Sequence, residues 1–184
     1  MGNQVTSLRM GERFKKTPAG RIPVDWGSER LGDLCDHITK GTTPATCGFQ
    51  FKQEGVDSRY VRYSLSSAFA RNQIGGIGTK GSRSNPTLSE VRDIPIPMPS
   101  IQEQKKIAEI LSAVDDAIEK SDAVIEKANL RKRGLMQHVS RADLAPIVAA
   151  VAAEISMEDQ SRQKLERTRI SLMKVLLSGQ IRLT

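Results

Sequence analysis

The chain has few of the side chains from which catalytic and metal centres are built. Its 184 residues include two cysteines, Cys35 and Cys47, and two histidines, His37 and His138. The cysteines are too few and too widely spaced for a zinc site or a disulfide framework. No Ser/His/Asp or Cys/His set for nucleophilic catalysis can be assembled either. We therefore expect no enzymatic activity of the chain itself, and no cofactor or metal bound to it.

Aromatic residues and long apolar runs are also scarce. Aromatics make up 4% of the chain, which favours helices that bury a narrow apolar stripe over a thick globular core. The start of the sequence has no apolar signal region, and no apolar run reaches the roughly 18 residues of a membrane-spanning helix. The sequence predicts a cytoplasmic protein with no membrane partner.

The chain is basic, and the excess lies in its first half. Lys and Arg number 28 against 21 Asp and Glu, a formal net charge of +7. Residues 1–99 carry 14 basic and 9 acidic side chains, whereas residues 100–184 carry 14 and 12. Phosphate contacts supply much of non-specific nucleic-acid binding, so DNA is the first partner to consider. Soluble proteins that bind no DNA can also be mildly basic, which leaves that alternative open.

Residues 1–99 show short elements broken by turns. We predict an N-terminal arm over residues 1–19 and a small α+β domain over residues 20–99. Within it, Ser28 to Gly41 resembles a helix or helix–strand element, Gly48 to Val56 a strand, and Ser58 to Ile74 a helix. Prolines alternate with Ile94, Ile96 and Met98, and because proline lacks an amide donor this predicts an edge strand or a stiff strut.

A different pattern begins at Ser100. Ser100 and Glu103 have the spacing of a capping box that starts a helix. Apolar residues then follow at alternating steps of four and three, interrupted by Ser121 and Lys132, as in a coiled coil. A helix from Ser100 to about Gln137 would extend roughly 55 Å. The small domain could not cover a helix of that length, so much of it must face another helix.

Residues 100–184 also contain an internal repeat, 107–137 and 144–174. AEILSAVDDAI (Ala108 to Ile118) matches APIVAAVAAEI (Ala145 to Ile155). Asp143 would cap the second helix with Pro146 in its first turn, and Gly179 would follow its end. The repeat predicts a helical hairpin or two arms that pair with a partner. The predicted helix-pairing seam consists of Ile107, Leu111, Val114, Ile118, Ile125, Leu135, Leu165, Leu172 and Leu176.

Two loops of the first half carry the candidate DNA contacts. Basic and hydroxyl side chains in loops can approach phosphate oxygens without steric conflict. One loop is the turn GTTPAT with the lysine before it, and the other is the glycine-rich stretch from Gly75 to Thr87. The candidates within these loops are Lys40, Thr42, Thr43, Lys80 and Arg83, and Arg71 lies shortly before the second loop.

Three stretches near the start of the sequence carry a family resemblance: G-x-I-P-x-x-W (Gly20 to Trp26), L-G-D-L and K-G-T-T-P (Lys40 to Pro44). They resemble the opening of the target recognition domain in the specificity (S) subunits of type I restriction–modification enzymes. I-P-I-P-M-P-S-I-Q-E-Q (Ile94 to Gln104) resembles its exit into a long helix. L-M-K-V-L-L-S-G-Q-I-R-L (Leu172 to Leu183) resembles the end of the helical region.

The resemblance implies a non-catalytic subunit that reads one half of a bipartite DNA target. It implies partnership with modification subunits, which bind S-adenosylmethionine and methylate adenine, and leaves a restriction subunit open as a further partner. The long helices would set the gap between half-sites. A single recognition segment implies pairing with itself or with another S chain.

The recognition segment differs from the family pattern in length. It spans about 75 residues between Val24 and Pro99, and the middle of the family's domain would be missing near Asp57. Two functions follow from this difference. The chain is either a half-site reader that scaffolds methyltransferase subunits, or a truncated S-type protein that acts only as a helical interaction module.

Overall fold

The computed structural model describes residues 14–40, 47–52, 54–78, 87–138 and 141–183. By its internal contacts the chain forms two compact units. The first comprises Met1–Glu109 with Met173–Thr184, and the second comprises Ile110–Leu172. The fold is mixed α+β, with a small strand-rich region followed by long helices, as the sequence predicts.

The described part of the first unit contains three two-stranded antiparallel ladders and three short helices. β1 (Phe14–Thr17) pairs with β2 (Gly20–Pro23), β3 (Gly27–Arg30) with β6 (Pro95–Met98), and β4 (Cys35–Lys40) with β5 (Cys47–Phe51). Phe14–Thr17 therefore belongs to a hairpin. This corrects the prediction that residues 1–19 form an arm throughout.

The described part of the segment predicted as a helix or helix–strand element, Ser28 to Lys40, contains no α-helix; a short 3-10 turn followed by a strand corresponds to the helix–strand alternative. β3 leads into a 3-10 turn (Leu31–Leu34), which leads directly into β4. Leu31, Leu34, Cys35 and Ile38, which are spaced as on one face of a helix, are nevertheless all buried. Burial rather than helical geometry explains that apolar pattern.

The predicted helix from Ser58 to Ile74 is divided into α1 (Ser58–Ser66) and α2 (Ala68–Gly78). Ser67 has an extended backbone, and its hydroxyl accepts a hydrogen bond from the Ala70 amide at 3.2 Å. A serine in this position caps the following helix, so it ends α1 and starts α2. A short α3 (Leu88–Arg92) follows, with Thr87 and Glu90 forming a capping box.

Among the residues that the structure describes, β6 pairs with β3 alone. Proline at alternate residues suits this position, because an unpaired strand edge needs no amide donors. The carbonyl of Pro97 accepts a hydrogen bond from the Tyr60 hydroxyl at 2.7 Å. The core beneath these ladders contains Ile22, Trp26, Leu31, Tyr60, Tyr63 and Ile96, each no more than 1% exposed.

α4 (Ile101–His138) and α5 (Arg141–Leu177) supply the helices of the second unit, where they run antiparallel. Arg169 contacts Asp115, and Arg162 contacts Asp122. The two ion pairs lie seven residues apart on each helix, and the residue number rises along α4 while it falls along α5. This is the geometry of an antiparallel coiled coil. Arg131 and Glu154, 3.8 Å apart, continue the same alignment. The repeat therefore forms a helical hairpin.

The start of α5 differs from the prediction. The helix begins at Arg141, so Asp143 lies within it and Pro146 falls in its second turn. Proline there removes one backbone hydrogen bond of the helix.

Candidate nucleic-acid interface

A groove lies between strand β5 and helix α1 in the first unit. β5 contributes Phe49 and Phe51, which are two residues apart and therefore point to the same side of the strand. Their ring centroids are 6.0 Å apart and their planes differ by 18°. α1 contributes the opposite wall, formed by Ser58, Arg59, Arg62, Leu65 and Ser66. Two aromatic rings thus face a helix that carries two guanidinium groups.

Charge in the groove comes from α1. The Arg59 guanidinium lies 3.2 Å from the carboxylate of Asp57, and the Arg62 guanidinium sits 4.9 Å from the centre of the Tyr63 ring. Asp57 caps α1 by accepting hydrogen bonds from the amides of Arg59 and Tyr60 at 2.9 and 3.1 Å. Burial raises the pKa of Asp57, but the hydrogen bonds from the Arg59 side chain and these amides outweigh it, so the pKa is lowered overall.

The first turn of α4 holds the N-terminus of α1 in place. Gln104 is 1% exposed. Its side-chain carbonyl accepts a hydrogen bond from the Asp57 amide at 2.9 Å, and its side-chain amide donates to the carbonyls of Gly55 and Pro99 at 3.1 and 3.0 Å. Because Asp57 in turn caps α1, one buried side chain fixes the helical wall of the groove to the start of the long helix.

The neighbouring residue, Glu103, binds the C-terminal segment. Its carboxylate accepts hydrogen bonds from the Trp26 indole at 3.2 Å and from Arg182 at 2.8 and 3.0 Å. The amide of Leu183 donates to it at 3.2 Å. Ser100 caps α4 as predicted, accepting from the Glu103 amide at 3.3 Å. The prediction that the Glu103 side chain reaches back to Ser100 is wrong, because these four donors occupy its carboxylate.

Arg182 completes this cluster. It binds both oxygens of Asp25, at 2.9 and 2.7 Å, and lies 5.6 Å from the centre of the Trp26 ring. The hydrogen bond from Arg182 lowers the pKa of Asp25, and the hydrogen bond to Glu103 raises the pKa of Arg182. Gly179 follows α5 with a φ of +66°, as a helix C-cap requires. We call Asp25, Trp26, Glu103 and Arg182 the terminal cluster.

Only part of the predicted DNA contacts can be placed. Lys40 is the last residue of β4 and pairs with Cys47, so it belongs to the hairpin that supplies Phe49 and Phe51. Arg71 is exposed on α2. Thr42, Thr43, Lys80 and Arg83 lie outside the described residues.

The predicted seam residues can all be placed, and none of them is fully exposed. Ile107, Leu111 and Leu176 are no more than 2% exposed. The other members are half-buried: Val114, Ile118, Ile125, Leu135, Leu165 and Leu172. Ser121 and Ala128, which occupy the same heptad positions, are each 7% exposed.

Sequence reasoning missed the groove residues Phe49, Phe51, Arg59 and Arg62. The strand alternation around Phe49 and the helical spacing of Arg59 and Arg62 were visible, but nothing local shows that β5 and α1 lie side by side. Within the described residues, no cluster of three or more His, Cys, Asp or Glu could hold a metal ion. None of the helices described there is both long and apolar enough to cross a membrane.

Part of the sequence matches a known protein family. Residues 67–128 match the type I restriction modification DNA specificity domain, a stretch that includes α3, β6 and most of α4. The predicted resemblance to specificity subunits of type I restriction–modification enzymes is confirmed.

Two relatives come from Methanocaldococcus jannaschii. The type I restriction enzyme MjaVIII specificity subunit is 34% identical over 118 residues, covering 62% of this chain and 28% of the relative. The putative type I restriction enzyme MjaX specificity subunit is 35% identical over 92 residues, covering 48% of this chain and 21% of the relative. The chain thus spans about a quarter of the length of the relatives that it matches.

Proposed function

We propose that the chain is a DNA-binding specificity subunit of a type I restriction–modification system. In this role it performs no chemistry, recognises one DNA half-site and scaffolds the modification methyltransferase subunits. Those subunits, not this chain, bind S-adenosylmethionine. The observation that carries the proposal is the match of residues 67–128 to a DNA specificity domain.

Charge and rigidity support this role. The excess of basic over acidic side chains in residues 1–99 suits a phosphate backbone. The hairpin suits a spacer, because ion pairs one heptad apart fix the alignment of its helices. A helix of 38 residues, the length of α4, extends about 57 Å. Pairing with a second S chain would bring two recognition domains to one DNA molecule.

DNA binding by the full chain tests the proposal, with and without a type I modification subunit from the same genome. We expect co-purification of the two proteins, with native masses that reveal the number of S chains. We also expect the logarithm of the DNA association constant to fall linearly with the logarithm of the salt concentration. Absence of binding to mixed-sequence DNA at low salt, with the modification subunit present, would contradict the proposal. Binding to the modification subunit without DNA binding would instead identify a helical interaction module.

A further inference from the structure

The groove between β5 and α1 combines aromatic rings with positive charge. Trp26, Tyr60 and Tyr63 are no more than 1% exposed, whereas Phe49 and Phe51 remain half-exposed. Phe49 and Phe51 are two of only four phenylalanines in the chain. Placing a pair of parallel rings where solvent reaches them forgoes part of the stability that their burial would give. Contact with a ligand would explain why these two rings are left accessible to solvent.

The helical wall opposite the rings is held rigidly. Gln104 fixes the Asp57 amide, Asp57 caps α1, and the Tyr60 hydroxyl ties α1 to the Pro97 carbonyl. Arg59 and Arg62 are one helical turn apart on this wall, and Arg59 keeps the nearby Asp57 carboxylate as a partner. A guanidinium group binds phosphate oxygens in a planar, two-pronged geometry. The groove therefore offers aromatic rings on one wall and phosphate-binding groups on the other.

This chemistry suits a nucleobase outside the helical stack. In a perfect duplex the faces of the bases are covered by their neighbours, and proteins contact base edges and phosphates instead. An unpaired base exposes its face, which stacks on aromatic side chains while arginines bind the flanking phosphates. An acidic peptide could satisfy the arginines, but it would not need two parallel rings.

We propose that the groove formed by Phe49, Phe51, Arg59 and Arg62 binds an unpaired nucleobase together with its flanking phosphates. The proposal rests on the proposed function, because it takes DNA as the ligand of this domain. It adds a preference for DNA in which a base has left the stack.

Three labelled DNA probes of one sequence test this idea with the full chain: a perfect duplex, the same duplex with a single-base bulge, and the single strand. We expect the bulged duplex and the single strand to bind more tightly than the perfect duplex. Phe51→Ala should weaken bulge binding by roughly 5- to 150-fold, the range found when a stacked aromatic is removed, and should leave the perfect duplex nearly unchanged.

Two further variants separate stacking from damage to the fold. Phe51→Leu keeps an apolar side chain without a ring, so it should retain stability yet fail to restore bulge binding. Phe14→Ala removes a phenylalanine that lies under Arg21, outside the groove, and should leave the preference for the bulge intact.

The binding experiment distinguishes failure of the proposed function from failure of the groove proposal. No binding to any probe would overturn the proposed function. DNA binding in which Phe51→Ala leaves the preference for the bulge unchanged, or weakens all probes equally, would overturn the groove proposal alone.

Discussion

Replacing Glu103 with glutamine should loosen the C-terminal segment from the first unit. The two carboxylate oxygens each accept two hydrogen bonds: one takes Arg182 and the Leu183 amide, the other Arg182 and the Trp26 indole. A glutamine has only one oxygen, so in either orientation its NH₂ group would face two donors. Glu103→Gln therefore loses one bond from Arg182 and one from a neutral donor.

The magnitude follows from these two losses. A neutral hydrogen bond contributes about 1 kcal/mol and one to a charged group about 1.5–3 kcal/mol. The Glu103 side chain is 4% exposed, but the Arg182 side chain is 34% exposed and keeps Asp25 as a partner. Solvent therefore screens the lost hydrogen bond from Arg182, and its contribution to stability is smaller than that of a fully buried one. We expect the free energy of unfolding to fall by about 2 kcal/mol, between the values of exposed and buried ion pairs.

Urea unfolding followed by tryptophan fluorescence measures this effect directly. Trp26 is the only tryptophan and donates to Glu103, so its emission reports on the terminal cluster. Glu119→Gln is the matched control, since it changes an exposed carboxylate of the same helix and should alter stability by less than about 0.5 kcal/mol. If Glu103→Gln shifted the unfolding midpoint no more than this control, the terminal cluster would not hold the C-terminal segment.

Two more predictions concern the same cluster. Because Arg182 lowers the pKa of Asp25 below its unfolded value, the stability due to this pair should be fully present above the unfolded pKa and be lost as the pH falls through the folded pKa. Unfolding titrations from pH 6 to acid should thus show a smaller loss of stability in Asp25→Asn than in the parent chain, and equal losses would contradict the pairing. Gly179→Ala should destabilise the chain, because a Cβ there would lie 2.3 Å from Pro23 in a backbone conformation that alanine disfavours. Tryptophan emission of Gly179→Ala should shift toward that of an exposed indole, and an unchanged spectrum would refute the tight contact.

The long helices were predictable because their signals are local. The prediction of Ser100 to about Gln137 for the first helix compares with Ile101–His138 in the structure. Heptad spacing and a serine cap act within a few residues of one another, and nothing distant must be known to interpret them. The edge position of β6 was predictable for the same reason, from its own prolines.

The small domain was harder because its contacts join distant segments. β3 pairs with β6 across more than sixty residues of chain, and Glu103 joins Trp26 and Arg182 from opposite ends of the sequence. Residues 28–40 carry apolar positions compatible with a helix, yet pairing with β5 and β6 draws most of them into strands. The groove depends on the same tertiary pairing, which explains why its four principal residues were missed.

In the proposed function, this chain directs a methyltransferase to a DNA sequence. Mapping methylated adenines in genomic DNA tests it most directly, in cells that express a type I modification subunit with or without the chain. We expect methylation at one recurrent sequence motif only when the chain is present. Methylation that is absent, or that follows the same pattern without the chain, would contradict the claim.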